Sequence, residues 1–270
     1  MAAARTLRVA IAGFGTIGRE LARRLAAIPG IEIVAVAAND DEKARANVAA
    51  LGLAAAVVPL ERLSEDADLV VECAPARLLP AIAEPVLRQG KELVTLSVGA
   101  LFRHPELLEL ARAHGGTITV PTGALLGLDA VTAAAEGELR SVRITTRKPP
   151  RGLAGAPYLE EHGIDVADVT EPTRVFAGNA REAALGFPAN VNVAAALALA
   201  GIGPERTQVE IWADPTITRN THTIEVSADS ADFTMTIQNV PSENPPTGRI
   251  TALSVVSLLR KRVATLRVGS

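Results

Sequence analysis

Two halves of different rhythm predict an α/β fold: a doubly wound parallel sheet, followed by a C-terminal α+β domain on a mainly antiparallel sheet. Up to about residue 120, short apolar runs alternate with stretches spaced like helices, the signature of strands joined by helical crossovers. A glycine cluster, Gly13-Phe-Gly15-Thr-Ile-Gly18, stands directly between the first apolar run and the first helix. Beyond Pro121 the runs alternate polar with apolar residues and follow one another closely, as in an antiparallel sheet covered on one face by helices.

The expected strands of the first half are Leu7–Ala12, Ile31–Ala37, Asp68–Cys73, Glu92–Ser97 and Thr117–Val120, rich in Val, Ile and Leu as strands buried on both faces are. Between them Ile17–Ile28, Asp41–Leu51, Leu78–Gln89 and Pro105–His114 carry apolar residues at helical spacing. Asp40 is placed to cap the second helix and Gly90 to end the third. In the second half Ala124–Glu136 reads as a helix, Leu139–Arg147 as a half-exposed strand, and Pro149–Pro157 as a Gly- and Pro-rich connection. Helices are expected over Ala180–Leu185 and Asn190–Leu199, then strands over Thr207–Ala213, Asn220–Ser227 and Asp232–Gln238. Arg249–Arg262 closes the chain as a helix with Leu253, Val256 and Leu259 on its apolar positions.

The 270 residues are 48% apolar but only 3% aromatic, so Ala, Val and Leu supply the core. A net charge of −3 with no basic stripe argues against nucleic acid as a partner. The lone Cys73 excludes an internal disulfide and a cysteine metal cluster, and fits a reducing, cytoplasmic setting. The first apolar run is short and leads into glycines without a cleavage signal, so it reads as a strand and not a signal peptide. Val191–Ile202 is too short to cross a membrane, and a soluble protein is expected. No grouping of His or carboxylates has metal-ligand spacing, so no metal is expected.

G-x-G-x-x-G alone is a weak signal, but here it has the strand-to-helix context its mechanism needs. Gly13 permits the tight turn, Gly15 lets a pyrophosphate approach the backbone, and Gly18 lets helix and strand pack closely. Thr16 and Ile17 then open the helix whose N-terminus faces the phosphates. The first half is therefore a Rossmann domain for a nicotinamide dinucleotide, and the chain reads as a dehydrogenase or reductase. About 20 residues on, Asn39 and Asp40 stand where an acidic residue would hold the adenosine ribose diol. Asp40 favours NAD, whereas Asn39 tolerates a 2′-phosphate and Lys43 and Arg45 lie nearby, so NAD and NADP both stay open. The turns Cys73-Ala74-Pro75 and Ser97-Val-Gly99 end strands at the carboxyl edge, where the ligand crevice of an open parallel sheet lies. Ala74, Pro75 and Ser97 are thus cofactor-facing candidates, while Cys73 reads as a small buried residue with no activating neighbour.

His222 is the catalytic candidate. Alternation puts it on the same face as Ile224 and Val226, where a bland reading makes it a satisfied core histidine. Hydride transfer from an amine or alcohol needs a group that exchanges protons near neutral pH, and histidine serves best. His104, His114 and His162 lie beside turns or helix ends and read as surface residues.

With Gly13–Gly18, Pro121-Thr-Gly-Ala124-Leu-Leu-Gly127, Gly186-Phe-Pro-Ala-Asn190-Val-Asn192 and Asn220-Thr-His222 in place, the chain resembles the L-aspartate dehydrogenase family over essentially its whole length. Arg147-Lys148-Pro-Pro and the segment Asp229–Asn239 also look like family segments. The resemblance implies NAD(P)-dependent oxidation of L-aspartate to iminoaspartate, which hydrolyses to oxaloacetate and ammonia, with reductive amination as the reverse. It implies a homodimer, a link to NAD biosynthesis, His222 as the active-site histidine, and Ala124 and Asn190 as cofactor contacts. The expected domains are a dinucleotide-binding domain over 1–122, a substrate-binding and dimerisation domain over 123–248, and a helix in 249–270 that packs back on the first. Two substrate carboxylates call for cationic or amide donors. Lys148, Arg147, Arg181, Arg219 and Asn192 are available, with Lys148 and Asn192 taken as substrate-binding residues and the arginines equally readable as surface groups.

The rival readings are a two-domain reductase of the dihydrodipicolinate reductase or homoserine dehydrogenase type, and a non-catalytic dinucleotide sensor. This chain has no H-H-x-x-K-x-D-A-P-S-G-like segment, which argues against a dihydrodipicolinate reductase, and a homoserine dehydrogenase would want lysines that the substrate domain nearly lacks. The His222 and Asn190 segments speak against the sensor.

Overall fold

The computed structural model describes residues 6–188, 191–242 and 248–269. The chain divides into two compact units, one running up to Pro121 and taking in Ala252–Val268, the other spanning Thr122–Thr251.

The first unit runs β1 (Leu7–Ala12), α1 (Thr16–Leu25), β2 (Ile31–Ala37), α2 (Asp41–Ala50), β3 (Ala56–Val57), β4 (Leu69–Glu72), α3 (Leu79–Arg88), β5 (Glu92–Thr95), α4 (Glu106–His114) and β6 (Thr117–Thr119). All pairings are parallel, in the order β3-β2-β1-β4-β5-β6, so the chain reverses direction across the sheet between β1 and β4. Val9 to Ala12 are wholly buried, as a central strand covered by helices on both faces requires. Asp40 caps α2 by accepting from the Lys43 N–H at 3.0 Å. The short strand β3 was not foreseen, because two residues carry no periodicity.

The second unit runs α5 (Leu128–Ala135), β7 (Leu139–Lys148), α6 (Pro157–Glu161), β8 (Thr173–Asn179), α7 (Ala180–Gly186), α8 (Asn192–Ala200), β9 (Gln208–Ala213), β10 (Thr221–Ala228) and β11 (Asp232–Gln238). Its strands lie in the order β11-β10-β7-β9-β8. Only the β7–β9 pairing is parallel, so the sheet is mixed but mainly antiparallel. Strand β8 escapes a reading by alternation because its register slips between Arg174 and Phe176, which leaves the neighbours Val175 and Phe176 both buried. The helix expected from Ala124 starts only at Leu128, since the chain turns between Thr122 and Leu125 and Gly127 holds a left-handed φ of +65°. α7 begins in a reciprocal cap, the Asn179 side chain accepting from Glu182 N–H and the Glu182 carboxylate from Asn179 N–H.

The closing helix α9 (Ile250–Val263) contributes Val255, Val256 and Leu259 to the apolar cluster that also holds Leu25, Ile28 and Ile31 of the first unit. Arg262 pairs with Glu92 at 2.7 Å. Among the described residues no helix is long and apolar enough to cross a membrane.

Candidate active site

In the first unit the candidate residues gather at the carboxyl edge of the parallel strands. The Gly13 N–H donates to the Ala37 carbonyl at the end of β2, and Gly13 abuts the turn after β4. A Cβ on Gly13, whose φ is +92°, would stand 2.7 Å from the Cys73 carbonyl oxygen and 2.8 Å from the Ala74 nitrogen. A Cβ on Gly18 would run into the Gly13 carbonyl. Around Gly15, by contrast, nothing lies within 4 Å of such an atom. Gly15 is the N-cap of α1, and among the described residues no side chain caps it and no acidic residue stands in the first turn. The N–H groups of Thr16, Ile17 and Gly18 thus begin a helix whose positive end faces open space, which fits a pyrophosphate. Asn39 and Asp40 are exposed after β2, and Ser97 is buried after β5.

Reading along the chain missed Glu72, the last residue of β4. Its side chain is fully buried and accepts from Thr95 Oγ1 at 2.8 Å, Ser97 N at 2.9 Å and Leu96 N at 3.1 Å on one oxygen, and from Ser97 Oγ at 3.0 Å on the other. Burial pushes its carboxyl up from the usual carboxylate range, and the four donors oppose that shift. A charged residue ending an otherwise apolar buried strand was the available signal.

In the second unit, register builds the site. His222 on β10 faces Thr146 on β7 across the antiparallel ladder, and its Nδ1 lies 3.0 Å from the Thr146 hydroxyl. Lys148, two residues on from Thr146, shares that buried face. His222, Thr146 and Lys148 are each only 3% exposed, on the side where Ile144, Ile224 and Val226 form the core. Burial, and then the positive charge of Lys148, brings the His222 ring down to about 3. Burial alone brings the Lys148 ammonium down to about 8. The ring is therefore held neutral, with its orientation fixed by a hydroxyl. Alternation in the run Val142-x-Ile144-x-Thr146-x-Lys148 carried the signal, since the last two inward positions are polar.

Arg147 does not join this group. It points to the opposite face, where its guanidinium lies 4.7 Å over the Trp212 ring and pairs with Asp214 at 3.2 Å. Arg181 pairs with the exposed Glu205, and Arg219 is exposed. Asn192 opens α8 with an exposed side chain. Asn190 lies outside the described residues. The segment that leads to it is anchored by Phe187, fully buried against Phe176 and Tyr158 with ring centroids 5.5 and 5.4 Å away.

Asn239, just past β11, links two of the candidates. Its side-chain amide donates to the Ala124 carbonyl at 2.9 Å, and its backbone N–H donates to the Asn220 carbonyl at 2.8 Å. The turn holding Ala124 and the start of the His222 strand are thereby fastened to one residue.

A doubly wound sheet with an open glycine loop, joined to a unit that buries a neutral histidine beside a lysine, defines an NAD(P)-dependent oxidoreductase. The family model described as "Homoserine dehydrogenase, NAD binding domain" matches residues 13–121, and "Aspartate dehydrogenase, C-terminal" matches residues 129–262. The L-aspartate dehydrogenase of Bradyrhizobium diazoefficiens is 56% identical over 264 residues, covering 98% of this chain and 94% of its own. L-aspartate dehydrogenase 3 of Bordetella bronchiseptica is 55% identical, with both chains covered completely. The crystal structure of aspartate dehydrogenase from Thermotoga maritima shares the fold at a TM-score of 0.76 and 24% identity, over 98% of this chain and 100% of that one. The chain belongs to the L-aspartate dehydrogenase family.

Proposed function

We infer that this protein oxidises L-aspartate to iminoaspartate with NAD or NADP, and runs the reductive amination of oxaloacetate in reverse. The observation that carries the reading is the buried pairing of His222 with Lys148 on one face of the second sheet, in a chain whose first unit offers an open anion-binding loop.

L-Aspartate brings two carboxylates and an ammonium. Lys148 binds one carboxylate through a charge-assisted hydrogen bond, and the Asn192 amide donates to the other. The amine must lose a proton before hydride can leave Cα, and His222 accepts it, its ring held by Thr146. The substrate carboxylates offset the Lys148 charge that suppresses protonation of the ring, so His222 becomes more basic when substrate is bound. When bound, the nicotinamide supplies the hydride acceptor. His222 releases the amine proton to solvent, takes one from the water that attacks the imine carbon, and returns it to the nitrogen, which leaves as ammonia while oxaloacetate forms. On the cofactor side, Gly13, Gly15, Thr16, Ile17 and Gly18 hold the pyrophosphate, Asn39 and Asp40 the adenosine ribose, and Ala74, Pro75, Ser97, Ala124 and Asn190 the nicotinamide half.

The family resemblance supports a homodimer, and the single thiol fits a reducing, cytoplasmic location. Iminoaspartate is a precursor of the pyridine ring, which supports a place in NAD biosynthesis. The test is absorbance of the reduced nicotinamide with purified protein, L-aspartate and each oxidised cofactor, beside the reverse reaction with oxaloacetate, ammonia and reduced cofactor. Turnover in either direction that collapses in His222→Ala supports the reading; silence in both directions sinks it.

A further inference from the structure

We propose that Glu72 is a positioning residue for the nicotinamide half of the cofactor, acting through Ser97; the proposal rests on the dinucleotide site inferred above.

A carboxylate with no solvent contact is a poor choice for a strand end if packing is all that is needed, because desolvation disfavours its charged form. Glu72 returns something no apolar side chain offers. Its four donors come from three successive residues, Thr95, Leu96 and Ser97, where β5 ends and the next turn begins. Two of these are backbone N–H groups at the end of β5, that of Leu96 being shared with the Glu72 carbonyl at 3.3 Å, and Glu72 and Thr95 are register partners at the carboxyl edge of adjacent strands. One side chain therefore closes the turn after β5 while its own backbone leads into Cys73-Ala74-Pro75. Those two turns flank the second half of the sheet. The first half, over β1 and β2, carries the glycine loop and Asp40 and so takes the adenosine end. Because the Ser97 hydroxyl donates to Glu72, its oxygen is left with lone pairs, which suits an N–H donor such as the nicotinamide carboxamide.

The experiment compares NADH with ADP-ribose, which lacks the nicotinamide, and adds NADPH as the second reduced cofactor. Reduced cofactor, NADH and NADPH each, is titrated by fluorescence, and ADP-ribose by calorimetry, in wild type and Glu72→Gln. The expected result is a loss of reduced-cofactor affinity of about tenfold or more with ADP-ribose binding changed less than twofold. A general loosening of the domain would weaken both ligands together, and that result overturns the proposal, as does unchanged affinity for both. Thr95→Val removes one donor while keeping the shape, and should show the same split at smaller size if Glu72→Gln does not fold; an even loss or no loss there also overturns it. Wild type that binds ADP-ribose but neither reduced cofactor would instead fail the reading of the site on which the proposal rests.

Discussion

The Nδ1 of His222 and the Oγ1 of Thr146 are 3.0 Å apart, and the two residues are direct register partners on β10 and β7. A neutral imidazole has one donor and one acceptor nitrogen, so this contact engages Nδ1 and leaves Nε2 for the proton transfer proposed above. His222→Ala should keep cofactor binding and lower kcat by roughly 10²–10⁴-fold, the usual worth of an acid–base group. Thr146→Val keeps the volume and removes the hydroxyl, so kcat should fall by about tenfold, as for one buried hydrogen bond, with Thr146→Ser restoring most of it. Equal kcat in wild type and Thr146→Val would detach the hydroxyl from the mechanism.

The same ring sets an acid limit on stability. Its folded value of about 3 lies below the ordinary 6.5, so the unfolded chain binds the proton first as pH falls. The stability it contributes is complete above about 6.5 and is lost progressively toward pH 3. Denaturant midpoints should therefore drop over that window, and His222→Gln should flatten the decline. An identical acid limb in both proteins would show that other groups set it.

Lys148 and Arg147 are sequence neighbours with opposite duties. Lys148 shares the buried face of His222, whereas Arg147 is committed to Trp212 and Asp214 on the other side. Lys148→Met should raise KM for aspartate by roughly 10–100-fold, the range of a hydrogen bond to a charged group, while Arg147→Met should leave it within about threefold. Because Lys148 titrates at about 8, the wild-type KM should climb as pH rises through that value, and Lys148→Arg should lack the climb. A comparable rise of KM in Arg147→Met would return that residue to the substrate site.

These pairs show what could be read along the chain. The strands β1, β2 and β11 stand where their apolar runs place them, because a strand buried on both faces and a cleanly alternating one each leave a period in the sequence. Strand β8 did not, since its register slip breaks that period. Of the candidate site, Gly13–Gly18 and His222 are legible in the sequence because one is a local motif and the other a rare residue on an apolar face. Thr146, Glu72 and Asn239 are not, because each matters through a partner on another element, 76, 23 to 25 and 115 residues away. Arg147 shows the reverse, a plausible charge that strand parity sends to the face opposite His222.

Asp40 separates capping from cofactor choice. One carboxylate oxygen accepts from the Lys43 N–H, and Arg45 in the same helix pairs with Asp41. Serine preserves the cap but removes the negative charge proposed to meet a ribose diol. Asp40→Ser should keep its melting temperature within a few degrees and shift the ratio of kcat/KM for NADP over NAD upward by about tenfold, or roughly 1.4 kcal/mol. No change in that ratio would confine Asp40 to its cap.

Asn239 offers the most specific test of how the second unit holds the Ala124 turn, proposed as a cofactor contact. It is 4% exposed, and its amide is the donor that holds the Ala124 carbonyl, while its backbone holds the strand start two residues before His222. Removing the amide leaves the Ala124 turn without that restraint, but the backbone bond to Asn220 persists in any substitution. Asn239→Ala should therefore weaken binding of reduced cofactor by about tenfold, the scale of one buried hydrogen bond, with a smaller effect on the acid–base step. Asn239→Asp cannot donate to the carbonyl and places a charge beside it, so its loss should be larger. The order is checked by cofactor titration of the three proteins and by kcat at saturating cofactor. If kcat falls while cofactor affinity stays at the wild-type level, Asn239 serves the His222 strand and not the Ala124 turn.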